Sequence, residues 1–401
     1  MKKILAVLLC LVLMGLWGCV MPVTEITLPT ETTVPTTLPP RPPKPPLPIV
    51  HGELKAELDS FLEGANYEGI VCLTHHGEVV YQYVSGTNDL GDPLTIDSPM
   101  YIVSISKQFC AAAILMLRDQ GKLDLDDTLG KYFPEYTLGR DITLKDLLTM
   151  RSGMVRDVDP MLAKPERYAK LTPEEQEKAF LGYVFNHPLL FAPNTDYLYS
   201  NNGYRLLSFV VEMVSGQNYE DFIRQNIFEP LGMTHSDFHT QVPNHPEWGL
   251  TYDNIIATGQ IPVLAKGSGG IVTTAADMDK WMTALRTGKV ISMKSYREMT
   301  TGYSIVPGTE FGYGYGLQSS IRDGWGHDGG NLRYTARIFF SNNYDLNFYI
   351  VTNKTPESMQ SFTNRVTTIF LNKLFQALDE AAHENDKFID MTSPSREISV
   401  K

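Results

Sequence analysis

Apolar positions along this chain change period several times, and each change predicts an element. Residues 54–62 carry Leu54, Leu58, Phe61 and Leu62 at the spacing of an amphipathic helix. Residues 69–74 and 79–84 are strand-like runs separated by His76-Gly77, which predicts a β-hairpin. From Phe109 to Leu117 the chain is apolar on every side, the pattern of a buried helix. Helical spacing returns at 143–150, 173–185, 204–215, 219–228 and, with Thr274 as N-cap, 274–285. Strand runs then follow at 313–319, 325–329, 334–340 and 346–352, before a last helix over 358–378. Strands at both ends with helices between predict an α+β fold. The expected architecture is an antiparallel sheet built from both chain ends with flanking helices. A mostly helical region, about 104–290, is inserted between the two halves.

The amino-terminal stretch stands apart. Lys2-Lys3 followed by an apolar run to Val20 has the charged and hydrophobic regions of a secretory signal. It ends in Leu16-Trp17-Gly18-Cys19, which resembles a bacterial lipobox, although Trp17 stands where a small or aliphatic residue is usual. Residues 1–19 are therefore read as a lipoprotein-type signal peptide with Cys19 as the lipidated residue, and a plain secreted form as the alternative. Residues 20–50 are rich in Thr and Pro and cannot build a core, so they form an extended tether. At about 3.1 Å per residue its Pro22–Pro48 part reaches roughly 80 Å. The folded domain is then 51–378, and 379–401 is a polar tail. The expected location is the outer face of the cell membrane.

Of 401 residues, 43% are hydrophobic and the formal net charge is −12. That charge argues against nucleic acid as a partner. Only Cys72 and Cys110 fall in the folded part, and two buried free thiols are expected, with one disulfide as the alternative. No Cys-x-x-Cys or His-Glu-x-x-His occurs, so no metal or other cofactor is expected.

Three short stretches carry chemistry. The chain's one Ser-x-x-Lys is Ser104-Ile-Ser-Lys107, placed where an extended segment becomes the buried helix. Three-residue spacing sets both side chains on one face of the first turn, as an activated serine nucleophile requires. The alternative is an N-cap serine with a solvated lysine. Tyr199-Ser200-Asn201 follows a Pro193-Asn194 turn, and there a phenol could shuttle a proton and a carboxamide could hold a substrate amide. A half-buried core tyrosine is the alternative. Gly324-Trp325-Gly326-His327-Asp328-Gly329-Gly330 opens a predicted strand whose glycines allow a ligand close to the backbone. A tight strand corner with a structural histidine would read the same.

In this order the three stretches resemble the serine β-lactamase and penicillin-binding protein superfamily, in the branch of class C β-lactamases, D-stereospecific peptidases and related esterases. Leu144–Met154, Phe228–Met233 and Gly269–Asp277 are similar to its connecting segments. The resemblance implies that Ser104 forms an acyl-enzyme, with Lys107 or Tyr199 taking its proton. It implies an oxyanion hole from the Ser104 and Gly330 N–H groups, beside Gly329. It also implies that Asn201 holds the substrate amide and orients Lys107. Three departures stand out. His327 replaces the family's usual lysine, so positive charge there becomes conditional. Asp328 replaces a small hydroxyl residue and could repel an anionic substrate. Met150-Arg151 replaces a His-Thr pair. The resemblance implies a small peptide, amide or ester substrate. A hydrolase of peptides or amides, including D-amino-acid or cell-wall peptides, is expected. A carboxylesterase, a β-lactamase and a penicillin-binding-like envelope protein without turnover are the alternatives. No Gly-x-Ser-x-Gly occurs, which argues against an α/β-hydrolase.

Overall fold

The computed structural model describes Val50 and residues 52–320, 323–354, 366 and 368–380. The leader, the tether before Val50, the first part of the predicted 358–378 helix and the tail beyond residue 380 lie outside the described residues. Strands β1 (Gly69–His75) and β2 (Glu78–Ser85) form the expected hairpin. Short strands β3 (Met100–Tyr101), β4 (Asp237–Phe238) and β5 (Ile271–Thr273) follow. The rest are β6 (Ser304–Ile305), β7 (Phe311–Tyr313), β8 (Gln318–Ser320), β9 (Trp325–Gly330), β10 (Thr335–Ser341) and β11 (Leu346–Thr352). One antiparallel sheet has the order β2-β1-β11-β10-β9-β8-β7-β6, so distant chain ends meet where β1 pairs with β11.

Period-2 alternation makes this sheet a wall between two cores. Ile70 and Cys72 of β1, with Tyr349 and Val351 of β11 and Ile338 of β10, face the helical region. Val71, Leu73, Phe348 and Ile350 face the other side, against helix α1 (Gly52–Gly64) and the helical stretch 368–380. Both faces being covered explains why β1 and β11 read as near-continuous apolar runs rather than alternating ones.

The inserted region is built around α2 (Lys107–Asp119), whose residues 107–115 are all buried. Phe109 stacks on Trp281 at 4.0 Å between centroids. Helix α3 (Leu144–Leu148) starts at a Thr143–Asp146 capping box and α4 (Pro173–Asn186) at a Thr172–Glu175 one. Helix α5 (Asn201–Ser215) begins at Ser200, whose hydroxyl accepts from the Gly203 N–H, and stops at Gly216 in the left-handed conformation. Helix α6 (Ala275–Arg286) has Thr274 as N-cap, as expected.

Two expectations are corrected. Residues 313–319 are not one strand: the chain reverses between β7 and β8, closed by the Gly314 N–H donating to Leu317 O. Gly316, at φ +71°, turns there so closely over α2 that a Cβ would lie 2.5 Å from Lys107 O. The helix predicted from Tyr204 also begins three residues earlier, at Asn201, while β3-β5-β4 form a small second sheet beside the mostly helical region. Cys72 and Cys110 are free and buried.

The terminal helical stretch is fastened by Phe370, fully buried and 5.6 Å from the Tyr81 ring and 6.0 Å from that of Phe348. Phe370→Ala is expected to lower unfolding free energy by about 3–5 kcal/mol in urea titrations. An unchanged midpoint would show that this stretch does not close the sheet.

Candidate active site

Ser104 is the one residue between 101 and 115 that is not buried. It sits in the short turn Val103–Ser106 that leads into α2. The turn is anchored before it by β3 pairing with β5 and by the Ile102 N–H donating to Ile271 O at 3.1 Å. Val103, just before the serine, has φ +48°, a conformation that a β-branched residue adopts only under constraint. Its side chain is held in a small core with Tyr101, Val272 and Tyr334.

Lys107 points from the first turn of α2 back to this serine. Its Nζ donates to Ser104 Oγ at 3.1 Å and to the Ser268 carbonyl at 2.7 Å. The amine lies 4.9 Å from the centre of the Tyr199 ring and 5.8 Å from that of Tyr204. Burial, and next the guanidinium of Arg205, hold its pKa well below the usual lysine value. Tyr199 is within hydrogen-bonding reach of the Ser104 hydroxyl, and burial raises its phenol pKa well above 10. Of the two candidate bases, the lysine is therefore the readier to lose a proton and the tyrosine the more reluctant.

Strand β9 supplies the opposite wall. A Cβ on Gly329 would lie 2.2 Å from Ile102 O and 3.2 Å from the Ser104 nitrogen, so only glycine allows this approach. The Asn331 N–H donates to Tyr334 O at 3.0 Å, and antiparallel alternation then makes Gly330–Thr335 a non-hydrogen-bonded pair. The Gly330 N–H thus points away from β10, toward the edge that β8 leaves uncovered beyond Gly326. An oxyanion beside Ser104 requires a donor of this kind.

His327 faces the same side as Gly329 but is buried. Its Nδ1 lies 2.6 Å from the Asp328 carbonyl, which can only accept, so Nδ1 carries the proton. Nε2 is then free to accept from the Tyr313 hydroxyl at 3.1 Å. Burial, and next the Lys107 charge, lower the ring's pKa to about 4. The conditional positive charge expected at this position is therefore absent at neutral pH.

Two expected contacts fall elsewhere. Asp328 points to the other sheet face, because neighbouring strand residues alternate, and Arg337 holds its carboxylate there at 2.5 and 2.9 Å. It does not face Ser104. Asn201 does not orient Lys107; its amide nitrogen donates to Asp157 at 2.9 and 3.1 Å. The motifs missed Asp157 and Arg205. Arg205 is buried, donating to Leu264 O (2.6 Å), Asn202 Oδ1 (2.7 Å) and Asp157 Oδ1 (3.0 Å). Its place four residues after Asn201, on the same helix face, was the available signal. Met150, where the His-Thr pair was expected, has φ +61°, and its sulfur lies 3.2 Å from the Ser200 nitrogen. Arg151 binds the carbonyls of Asn194 and Tyr303.

Known proteins share this fold. The beta-lactamase family profile matches residues 54–368. PbpX of Bacillus subtilis (strain 168), assigned to the penicillin-binding proteins, is 31% identical over 272 residues, which are 65% of this chain and 64% of PbpX. A D-aminopeptidase of Brucella anthropi is 28% identical over 282 residues, 68% of this chain and 52% of that protein. The chain thus spans less than two thirds of either relative. Among solved structures, the D-amino acid amidase of Ochrobactrum anthropi SV3 complexed with L-phenylalanine superposes with a TM-score of 0.68 at 21% identity, covering 82% of this chain and 99% of that one. By its profile match across the folded domain, this chain belongs to the beta-lactamase family.

Proposed function

We propose that the protein is an exported serine hydrolase that cleaves amide bonds in peptides, D-amino-acid peptides in particular, through an acyl-enzyme on Ser104. One observation carries the reading: a partly exposed serine hydroxyl bonded to a buried lysine amine whose proton is loosely held. The alternative of an N-cap serine with a solvated lysine does not fit, since Lys107 is fully buried and Ser104 caps no helix. The D-aminopeptidase and amidase likenesses support an amide substrate. The lipobox-like Leu16–Cys19 and the Thr/Pro-rich stretch support export and membrane attachment.

In the acylation step, the Ser104 O–H donates to the lone pair of neutral Lys107, reversing the contact made by the charged form. Oγ then attacks the carbonyl carbon, and the resulting oxyanion accepts from the N–H groups of Ser104 and Gly330. Collapse breaks the C–N bond, and the departing amine takes a proton through Lys107 or Tyr199. Water repeats the sequence on the acyl-enzyme and releases the acid. Tyr199 keeps its proton at neutral pH and serves as donor to the Ser104 oxygen.

A fluorophosphonate is expected to add once to the wild-type protein in intact-mass spectra and not to Ser104→Ala. That variant should lose roughly 10⁶-fold in kcat on D-alanyl amides. An adduct that persists in Ser104→Ala would remove the serine from the mechanism.

The pH profile tests the base. A lowered lysine pKa means that the active, neutral amine accumulates as pH rises, so activity should climb and level off well below pH 10.5. Lys107→Arg, which cannot deprotonate, should lose about 10²–10⁴-fold. Because His327 titrates near 4, no inflection should appear at 6.5. An inflection there, lost in His327→Gln, would mean a charged imidazole takes part.

Gly329→Ala should lower the rate of Ser104 labelling by roughly 10²-fold, because its Cβ drives β9 off the serine turn. Full labelling in a variant that melts like wild type would exclude β9 from the oxyanion site.

A further inference from the structure

The family's fixed cation at the third motif is replaced here by a buried, neutral His327, yet the site still carries surplus positive charge. The charges acting most strongly on Lys107 are those of Arg205, Asp157 and Arg156. Two guanidinium groups therefore share one carboxylate: Arg205 NH2 lies 3.0 Å from Asp157 Oδ1 and Arg156 Nε 3.2 Å from Oδ2. Arg205 is buried, and each of its three guanidinium nitrogens already has a partner. The unbalanced charge is presented by Arg156.

Arg156 is held by its backbone while its head group is exposed. Its carbonyl accepts from the N–H groups of Asn201 (2.9 Å) and Asn202 (3.2 Å), which pins the residue to the amino terminus of α5. Its side chain is 66% exposed, and the guanidinium carbon stands 5.4 Å from the centre of the Tyr199 ring. Lys107 Nζ is 4.9 Å from that same centre. The reacting amine and an exposed planar cation thus both stand against one tyrosine ring, and a guanidinium set over a ring keeps N–H edges that can grip a carboxylate. An exposed pair with Asp157 adds little to stability, so anchoring the fold does not account for the placement.

We propose that Arg156 is a specificity residue that binds a carboxylate of the substrate at the Tyr199 wall. The substrate class it selects is an acyl donor carrying a free carboxylate on the side of the cleft formed by Tyr199 and Asn201. This rests on the acyl-enzyme reading of Ser104 and names the substrate class of that same site. It moves anion recognition from β9, where family members with lysine have it, to the loop before α5.

The test uses paired ligands that differ in one charge, succinyl-D-alanine p-nitroanilide and acetyl-D-alanine p-nitroanilide. Their kcat/KM ratio is measured for wild type, Arg156→Gln, Arg156→Lys and Arg156→Glu. The ratio taken within each variant cancels any change in Ser104 reactivity. Wild type is expected to favour the succinyl compound by about tenfold, through KM, with a preference that shrinks as salt is raised. Arg156→Gln should erase the preference, Arg156→Lys retain part of it and Arg156→Glu reverse it. The same two compounds are also scored by how well each protects Ser104 from a fluorophosphonate, which needs no turnover. Equal protection and equal kcat/KM in wild type, or a preference that survives Arg156→Gln, would overturn the assignment while fluorophosphonate labelling left the serine reading intact. Absence of labelling in wild type would instead overturn the acyl-enzyme reading and the assignment with it.

Discussion

Everything around the site depends on keeping one lysine amine dry beside one hydroxyl. An ammonium group out of water loses several kcal/mol of hydration, and it stays charged only if a counter-ion repays that loss. Here the charge acting on it most strongly is that of another cation, Arg205, so repayment is withheld and the proton is destabilised. That arrangement requires the first turns of α2 to be buried on every side, and residues 107–115 are. It also requires Arg205 itself to be stable in the interior. Asp157, Asn202 and the Leu264 carbonyl meet that need, which makes Asp157 part of the electrostatics of a lysine it does not touch. The loop that carries Asp157 is in turn tied to the amino terminus of α5, the helix that carries Asn201.

The nucleophile sits between a strained residue and a strand of glycines. Val103 is held in the left-handed region because β3, two residues long, is paired to β5 on one side and packed on Tyr334 on the other. Gly329 lets β9 approach until its backbone abuts the serine turn. Neither element has much stability of its own. Both gain it from the two cores that the large sheet separates, so the geometry at Ser104 is set by packing far from it.

Much of this was legible in the residues. Strands and helices with clear periodicity, such as β1, β11, α2 and α6, stand where the pattern puts them, and the order of the three motifs pointed to the family. Periodicity says nothing reliable about pairs of residues, so β3, β4, β5 and the split between β7 and β8 were not readable. Side-chain partners contributed by distant segments were also hidden. Asn201 was assigned to Lys107, but Asp157, 44 positions away, binds it. Asp328 was placed in the site by its neighbours in sequence, although alternation along a strand sends it to the opposite face. The neutrality of His327 depends on burial and on the carbonyl of the next residue, neither of which a sequence displays.

The pairing of β1 with β11 has a consequence for the life history of the chain. Ile70 meets Val351, so the central strands of the sheet close a loop of about 280 residues. Gly329 and Gly330, which complete the surroundings of Ser104, are likewise made about 225 residues after it. A nascent or truncated chain that already contains the Ser-x-x-Lys helix therefore lacks the strand that would let its serine hold an oxyanion. Reactivity is withheld until the sheet is whole.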